Sequence, residues 1–239
     1  SRWIEAARHG HSGVSVFHSD APAHEDPAAA SEAPNQLAGV LLDLIDAATA
    51  EVILVSAYLI PTPELEAAVE RAEKRGVEVR ILTNSLRSNN HLAAHSAYSD
   101  HIRRLVSHGA DLHEVHAEAA DRPRYMQAPV EGKRLGLHAK LLVIDEDRVY
   151  VGSCNLDPRS LKLNTEVGLV VDSRSLNRAL RDLTASDFEP RNAWAVRLSE
   201  AGRLQWHGEG VVLDRPPSDS PVQALEDWFL GLLPIEQQM

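Results

Sequence analysis

Two apolar runs with a fully punctuated helix between them, EVILVSAYLIPTPELEAAVERAEKRGVEVRILTNS over residues 51–85, leave this chain few folds to choose from. The first run, Glu51–Ile60, reads as a buried strand that stops at Pro61. Thr62 is placed to cap a helix, Pro63 takes the first helical position, where a missing N–H costs nothing, and Gly76 ends it. The second run, Val77–Ser85, is another strand. So short a strand–helix–strand unit implies parallel pairing through a right-handed crossover.

The remaining chain extends this α/β pattern. A helix is expected at Gln36–Thr49 after an Asn35 cap, and another over Asn90–His108, with a strand at Ala110–His116. Strands are expected at Leu137–Ile144 and Arg148–Val151, joined by the turn Asp145-Glu146-Asp147, and at Thr165–Val171, followed by a helix at Leu176–Thr184. The tail, residues 190–239, alternates three short strands (Ala193–Leu198, Leu204–His207, Gly210–Leu213) with a helix at Val222–Leu232. The spacing of that helix fits a membrane surface and core packing equally well, and core packing is the favoured reading. The fold class expected is α/β, a mixed sheet with helices on both faces. Residues 1–35 read as a connection with one strand, Val14–His18, and a loop-like stretch at Asp20–Pro34; residues 36–239 form the lobe proper.

Within the strand expected at Leu137–Ile144 the run GLHAKLLVID carries a histidine and a lysine two residues apart. The chain has only four lysines against twenty arginines, and a lysine enters an aliphatic strand at a cost unless it has a partner. On a strand His138 and Lys140 project from one face while Leu137, Ala139 and Leu141 project from the other. An imidazole beside an ammonium suits a phosphate: the ring attacks phosphorus or moves a proton, and the ammonium neutralises non-bridging oxygens. The return strand leads into Gly152-Ser153-Cys154-Asn155. Gly152 permits close backbone approach, and Ser153 and Asn155 offer neutral donors on a common face. Glu166, at the start of the next strand, is placed to accept a hydrogen bond from an imidazole nitrogen and fix its tautomer. Asp145, of opposite parity, is expected to hold the turn or a neighbouring backbone group.

The pattern H-x-K-x(4)-D followed by x(6)-G-S-x-N resembles the HKD motif of the phospholipase D superfamily, carried here by His138, Lys140, Asp145, Gly152, Ser153 and Asn155. Glu166 falls where that family places the carboxylate partner of the motif histidine. A chance match to the six fixed positions is on the order of one in a million per chain. The stretch quoted at the outset resembles the opening of the second half of bacterial cardiolipin synthase-like proteins. The ending WHGEGVVLDRPPSDSPVQALEDWFLGLLPIEQQM is similar to the C-terminal tail of one bacterial subgroup, which would make Met239 a natural terminus. Members of this type carry two HKD motifs that build one active site, and this chain has one: Lys74, Lys133 and Lys162 lack a histidine two residues before. The resemblance therefore implies one lobe of a two-lobed αβα enzyme, with residues 1–35 as the inter-lobe connection.

By the same resemblance, one motif histidine attacks a phosphodiester to form a phosphohistidine. The other protonates the leaving alcohol and then deprotonates the incoming one, without metal or cofactor. His138 takes either role, with acid/base favoured because the first motif often supplies the nucleophile. Transfer to the glycerol hydroxyl of phosphatidylglycerol gives cardiolipin, phosphatidylethanolamine is a second candidate lipid, and transfer to water is hydrolysis. The expected partners are an anionic phospholipid, a peripheral contact with the bacterial cytoplasmic membrane, and the missing lobe or a second copy of the chain. A phosphodiesterase or nuclease with one motif per chain, and an inactive isolated lobe, are the alternatives.

A formal net charge of −11 disfavours nonspecific nucleic-acid binding. Locally the sign reverses: residues 122–162 hold eight Lys/Arg and five Asp/Glu, a surplus of three. Cys154, the single cysteine, excludes an internal disulfide and is expected to be buried and inert. His91 and His95 are spaced as zinc ligands can be, but without an evident third ligand. His101, His108, His113 and His116 are expected at the surface or at helix ends. No apolar run reaches the ~20 residues that span a bilayer. A chain starting at Ser1 without methionine or leader reads as processed or excised.

Overall fold

The computed structural model describes residues 10–21, 36–88 and 92–218. The expected tail helix Val222–Leu232, His91 and the side chain of His95 lie outside the described residues. One sheet of ten strands organises everything else, in the order β1-β7-β6-β5-β2-β3-β4-β8-β9-β10. In chain order the strands are β1 (Val14–Ser19), β2 (Glu51–Ser56), β3 (Glu78–Asn84), β4 (Asp111–Val115), β5 (Lys140–Ile144), β6 (Arg148–Gly152), β7 (Val167–Asp172), β8 (Ala193–Leu198), β9 (Leu204–Gly208) and β10 (Val211–Leu213). The helices are α1 (Gln36–Ala47), α2 (Pro63–Lys74), α3 (Leu92–Ser107), α4 (Pro158–Lys162) and α5 (Arg174–Ala185). β2 pairs in parallel with β3, and β3 with β4. The other ladders are antiparallel, so the sheet is mixed as expected.

The punctuation of the 51–85 stretch acts locally as its chemistry requires. Leu65 donates its N–H to the Thr62 hydroxyl at 3.4 Å, Pro63 opens α2, and Gly76 takes φ +82°, where a side chain would be strained. The amphipathic helices then bury their apolar stripes: Leu37, Leu41 and Ile45 of α1, and Leu65, Ala68, Val69 and Ala72 of α2.

Strand parity separates two cores. Val52, Leu54, Leu142, Ile144 and Tyr150 pack under α1, α2 and α3. Ile53, Val55, Leu82 and Val143 face the other way, toward Phe188 and Leu180 of α5. Each fully buried Leu, Ile or Val contributes roughly 1.5–3 kcal/mol.

Four expectations are corrected. The strand expected at Leu137–Ile144 begins only at Lys140, because its neighbour β2 ends at Ser56, the partner of Lys140 in the ladder. The strand expected through Ile60 stops at Ser56, and that expected from Thr165 starts at Val167. His101 and His113 are not at the surface. His101 is buried with Nδ1 2.6 Å from Glu66, and His113 is buried edge-on against Phe188 with Nε2 3.0 Å from Asp111.

The strand of residues 14–19 belongs to the sheet. β1 forms its edge by pairing along all six residues with β7. Beyond it Asp20 is buried, accepting the N–H of Leu37 at 2.8 Å at the start of α1. On the α5 face, Phe17, Leu169 and Val151 stand side by side across β1, β7 and β6 and remain exposed.

Candidate active site

The β5–β6 hairpin and the start of β7 bring most of the motif together. Leu141 pairs with Val151, which sets Lys140 beside Gly152 one residue on, and Gly152 pairs with Gly168. Neither glycine is free to carry a side chain. A Cβ at Gly152 would lie 2.1 Å from the Tyr150 hydroxyl, and one at Gly168 would lie 2.3 Å from the same ring. Tyr150 thus fills the space that two absent side chains leave, and its burial pushes the phenol far above its usual range.

His138 is exposed, and among the described residues its ring nitrogens have no hydrogen-bond partner. Its backbone lies outside the ladder and is held by two other means. The Asn84 side chain clasps the preceding residue, accepting from Leu137 N at 2.8 Å and donating to Leu137 O at 3.0 Å. The Lys140 ammonium donates to the His138 carbonyl at 2.9 Å. Burial lowers the pKa of Lys140, and the carboxylates of Glu166 and Asp157 act against that lowering without cancelling it.

Glu166 is buried, and its carboxylate accepts from the Ser153 hydroxyl and from Asn164 Nδ2 at 3.1 Å. Among the described residues it bonds Ser153 and Asn164, not His138. Ser153 is tied in twice more: its N–H reaches Val167 O at 2.9 Å and its hydroxyl accepts from Val167 N at 3.0 Å. Asn155 is half-buried, and its Oδ1 is shielded from solvent with no partner among the described residues. The loop carrying it is strapped to the end of β2, Leu156 donating to the Ser56 hydroxyl at 3.1 Å and Ile60 to Leu156 O at 2.8 Å. Cys154 is buried beneath that loop, and burial pushes its thiol well up, out of reach of thiolate chemistry near neutrality.

Asp145 sits apart from these groups at the β5–β6 turn with φ +47°. Its carboxylate accepts from the N–H groups of Thr49, Ala50 and Glu51 and from the Thr49 hydroxyl at 2.8–3.2 Å, so it clamps the α1–β2 turn.

Sequence reasoning missed four supports of this cluster. Asn84 looked like an ordinary strand-ending residue, and Ser56 was one letter in an apolar run. Asn164 stood two residues before the acid it bonds. Asp20, which accepts from Glu166 N at 3.1 Å and donates its own N–H to Glu166 O at 2.9 Å, lay in a stretch with the composition of a loop. Only Asn84 carried a signal, since Asn at a strand end is placed to bond nearby backbone.

A half-buried ammonium, an exposed imidazole, a hydroxyl and an amide gathered at one end of a mixed sheet make a surface that can hold a phosphate and exchange a proton with it. The family described as "Cardiolipin synthase, PLD-like domain" matches residues 41–188, a stretch that contains all of these motif residues. The chain belongs to the phospholipase D superfamily.

Among its relatives, cardiolipin synthase C of Escherichia coli is 30% identical over 202 residues, 82% of this chain and 42% of that protein. Cardiolipin synthase A of Pseudomonas putida KT2440 is 32% identical over 168 residues, 70% of this chain and 31% of that protein. This chain therefore spans less than half the length of these relatives. Among solved structures, phosphatidylserine synthase of Haemophilus influenzae matches with a TM-score of 0.54 at 16% identity, over 94% of this chain and 46% of that one. Nuc of Salmonella typhimurium, a phospholipase D family member, matches with a TM-score of 0.50 at 20% identity, over 73% of this chain and 93% of that one. At these identities the two structures speak for the fold alone.

Proposed function

We propose that this chain is one half-site of a phosphatidyl transferase that makes or remodels anionic phospholipid through a phosphohistidine. The observation that carries this reading is the match of residues 41–188, motif included, to a cardiolipin synthase domain, together with an exposed imidazole whose backbone is tied to a half-buried ammonium. In this reading Lys140 binds the phosphate, with Ser153 and Asn155 as neutral donors. His138 acts as acid toward the leaving alcohol and base toward the incoming one. Glu166 keeps Lys140 charged and holds Ser153 in place. Asp145 and Gly152 support the hairpin that carries them. The substrate is phosphatidylglycerol, with phosphatidylethanolamine as the other candidate donor or acceptor, and the protein meets it at the bacterial cytoplasmic membrane. No helix among the described residues is long and apolar enough to cross a membrane, so contact through these residues would be peripheral.

A second histidine is required by this chemistry. The length of the curated relatives supports a preceding HKD lobe as its source, and the exposed row Phe17, Leu169 and Val151 beside Ser153 is an apolar face suited to receive it. One specific observation favours a second reading, in which two copies each bring one motif: the match to Nuc takes up nearly the whole of that chain. In that case the reaction is phosphodiester or phospholipid hydrolysis, or nucleic-acid cleavage, the last of which the acidic balance of the chain disfavours.

The test is to incubate the chain, and the protein it belongs to, with phosphatidylglycerol vesicles and separately with single-stranded DNA. Cardiolipin formation that is lost in His138→Ala is the expected result. Formation that survives His138→Ala would sink the assignment, and His138-dependent DNA cleavage by a dimer would move it to the second reading.

A further inference from the structure

A cavity of about 250 Å³ opens beneath the segment that leads to the site, and His138 is part of its lining. Its walls are apolar: Leu137 and Leu141 from the lead-in and β5, Val55 and Leu82 from β2 and β3, and Leu183 of α5 at the rim, 42% exposed. Polar residues line the far end, but their bonds are already made. The Tyr125 hydroxyl donates to Asp187 at 2.8 Å, and Asn192 Nδ2 donates to Asp121 at 3.0 Å. A base or a sugar would find few free donors or acceptors there, and leaving its own polar groups unpaired would weaken binding. The remaining lining charge is Arg122, half-buried, its side chain without a hydrogen-bond or ion-pair partner among the described residues. Residues 122–134 around it carry Arg122, Arg124, Lys133 and Arg134 against Glu131.

We infer that this cavity is an acyl-chain subsite, taking one fatty chain of an anionic phospholipid whose phosphate lies at His138 and Lys140. The inference rests on the proposed reading of that site and names what the substrate must carry: a single long chain, lodged beside the headgroup. Three features select this occupant. The cavity shares His138 with the candidate site, so chain and phosphate can belong to one molecule. It is apolar over most of its wall, with its polar groups mutually paired, which rewards a hydrocarbon. The Arg122 guanidinium in its lining has no side-chain partner among the described residues, which complements an anionic headgroup. The volume lies just below the usual range for a small-molecule pocket, so it suits one chain of a diacyl lipid and leaves the other to the bilayer.

Monoacyl phosphatidylglycerols of increasing chain length, kept below the concentration at which they form micelles, test this with the chain as it stands. Calorimetric affinity should rise by about fourfold per added methylene until the cavity is full and then level off. His138→Ala should keep the same rise, because binding the chain does not need the ring. Leu183→Glu, which places a charge at an exposed position on the rim, should flatten it; Ala119→Phe, which fills the cavity from its wall, should do the same if a thermal melt shows it folded.

An affinity that does not depend on chain length overturns the inference, as would follow if a segment of protein already occupied the cavity. So does a rise that both variants leave unchanged. The underlying reading fails separately: a groove-dependent rise without His138-dependent transfer removes the transferase and keeps the subsite. His138-dependent transfer with a flat profile does the reverse.

Discussion

Two opposing influences act on the Lys140 ammonium. Burial favours the neutral amine, and the facing carboxylates, Glu166 first, favour the ammonium. The net pKa lies below that of an ordinary lysine. Phosphate binding that needs the ammonium is therefore complete on the acid side and is lost as pH rises through that lowered value. Glu166→Gln removes the largest charge opposing burial, so the alkaline limb of kcat/KM should move to lower pH. A limb that stays where it was would show that Glu166 does not act through Lys140.

A second consequence at this scale concerns room rather than charge. The three atoms nearest a methyl at Gly168 all belong to the Tyr150 side chain, whereas one at Gly152 also meets the Val167 carbonyl 2.6 Å away. Gly168→Ala should cost about 1–3 kcal/mol through overpacking. Tyr150→Leu should cost a similar amount by leaving a cavity. The pair together should cost less than the sum, whereas Gly152→Ala should gain little from Tyr150→Leu. Chemical denaturation of the six proteins, wild type included, measures both couplings.

At the scale of elements, the β5–β6 hairpin depends on a clamp remote from the chemistry. Asp145 takes the backbone N–H groups opening β2, and Asn177 of α5 donates to Ile144 O at 3.0 Å and Arg148 O at 2.9 Å on either side of the turn. Asp145→Ala should cost about 2 kcal/mol from lost charge-assisted bonds, plus about 1 kcal/mol because alanine resists the positive φ that aspartate tolerates. Asp145→Asn should cost less, and a urea midpoint distinguishes the two. The clamp was legible, because opposite strand parity keeps Asp145 from facing the same way as Lys140.

The start of β5 was not legible. Apolar alternation continues back through Leu137, so the pattern cannot reveal that the neighbouring strand ends at Ser56 and that Asn84, from β3, holds this backbone instead. Periodicity reports which way side chains point. It does not report where a neighbour runs out.

At the scale of the molecule, the parallel unit over 51–85 and the helices on both faces could be read from punctuation and spacing. The face around Phe17 could not, because a strand in a loop-rich stretch gives no indication of which strand it will join. If that face receives a second half-site, Phe17→Glu and Leu169→Glu should each lower transfer by the assembled enzyme while leaving the melting temperature of this lobe nearly unchanged, since both side chains are exposed here.

The same edge strand ends in Asp20, which joins Leu37, 17 residues on, to Glu166, 146 residues on. Closing so long a loop adds little to its equilibrium cost, which grows only with the logarithm of length, but non-local pairings form late on the folding path. Glu166 should therefore be ordered late, when β1 joins the edge of the sheet beside β7. In refolding experiments far-ultraviolet dichroism should recover before the capacity to bind inorganic phosphate. Asp20→Ala should widen the interval between them, making the order of assembly, rather than the stability of the finished lobe, the property this aspartate controls.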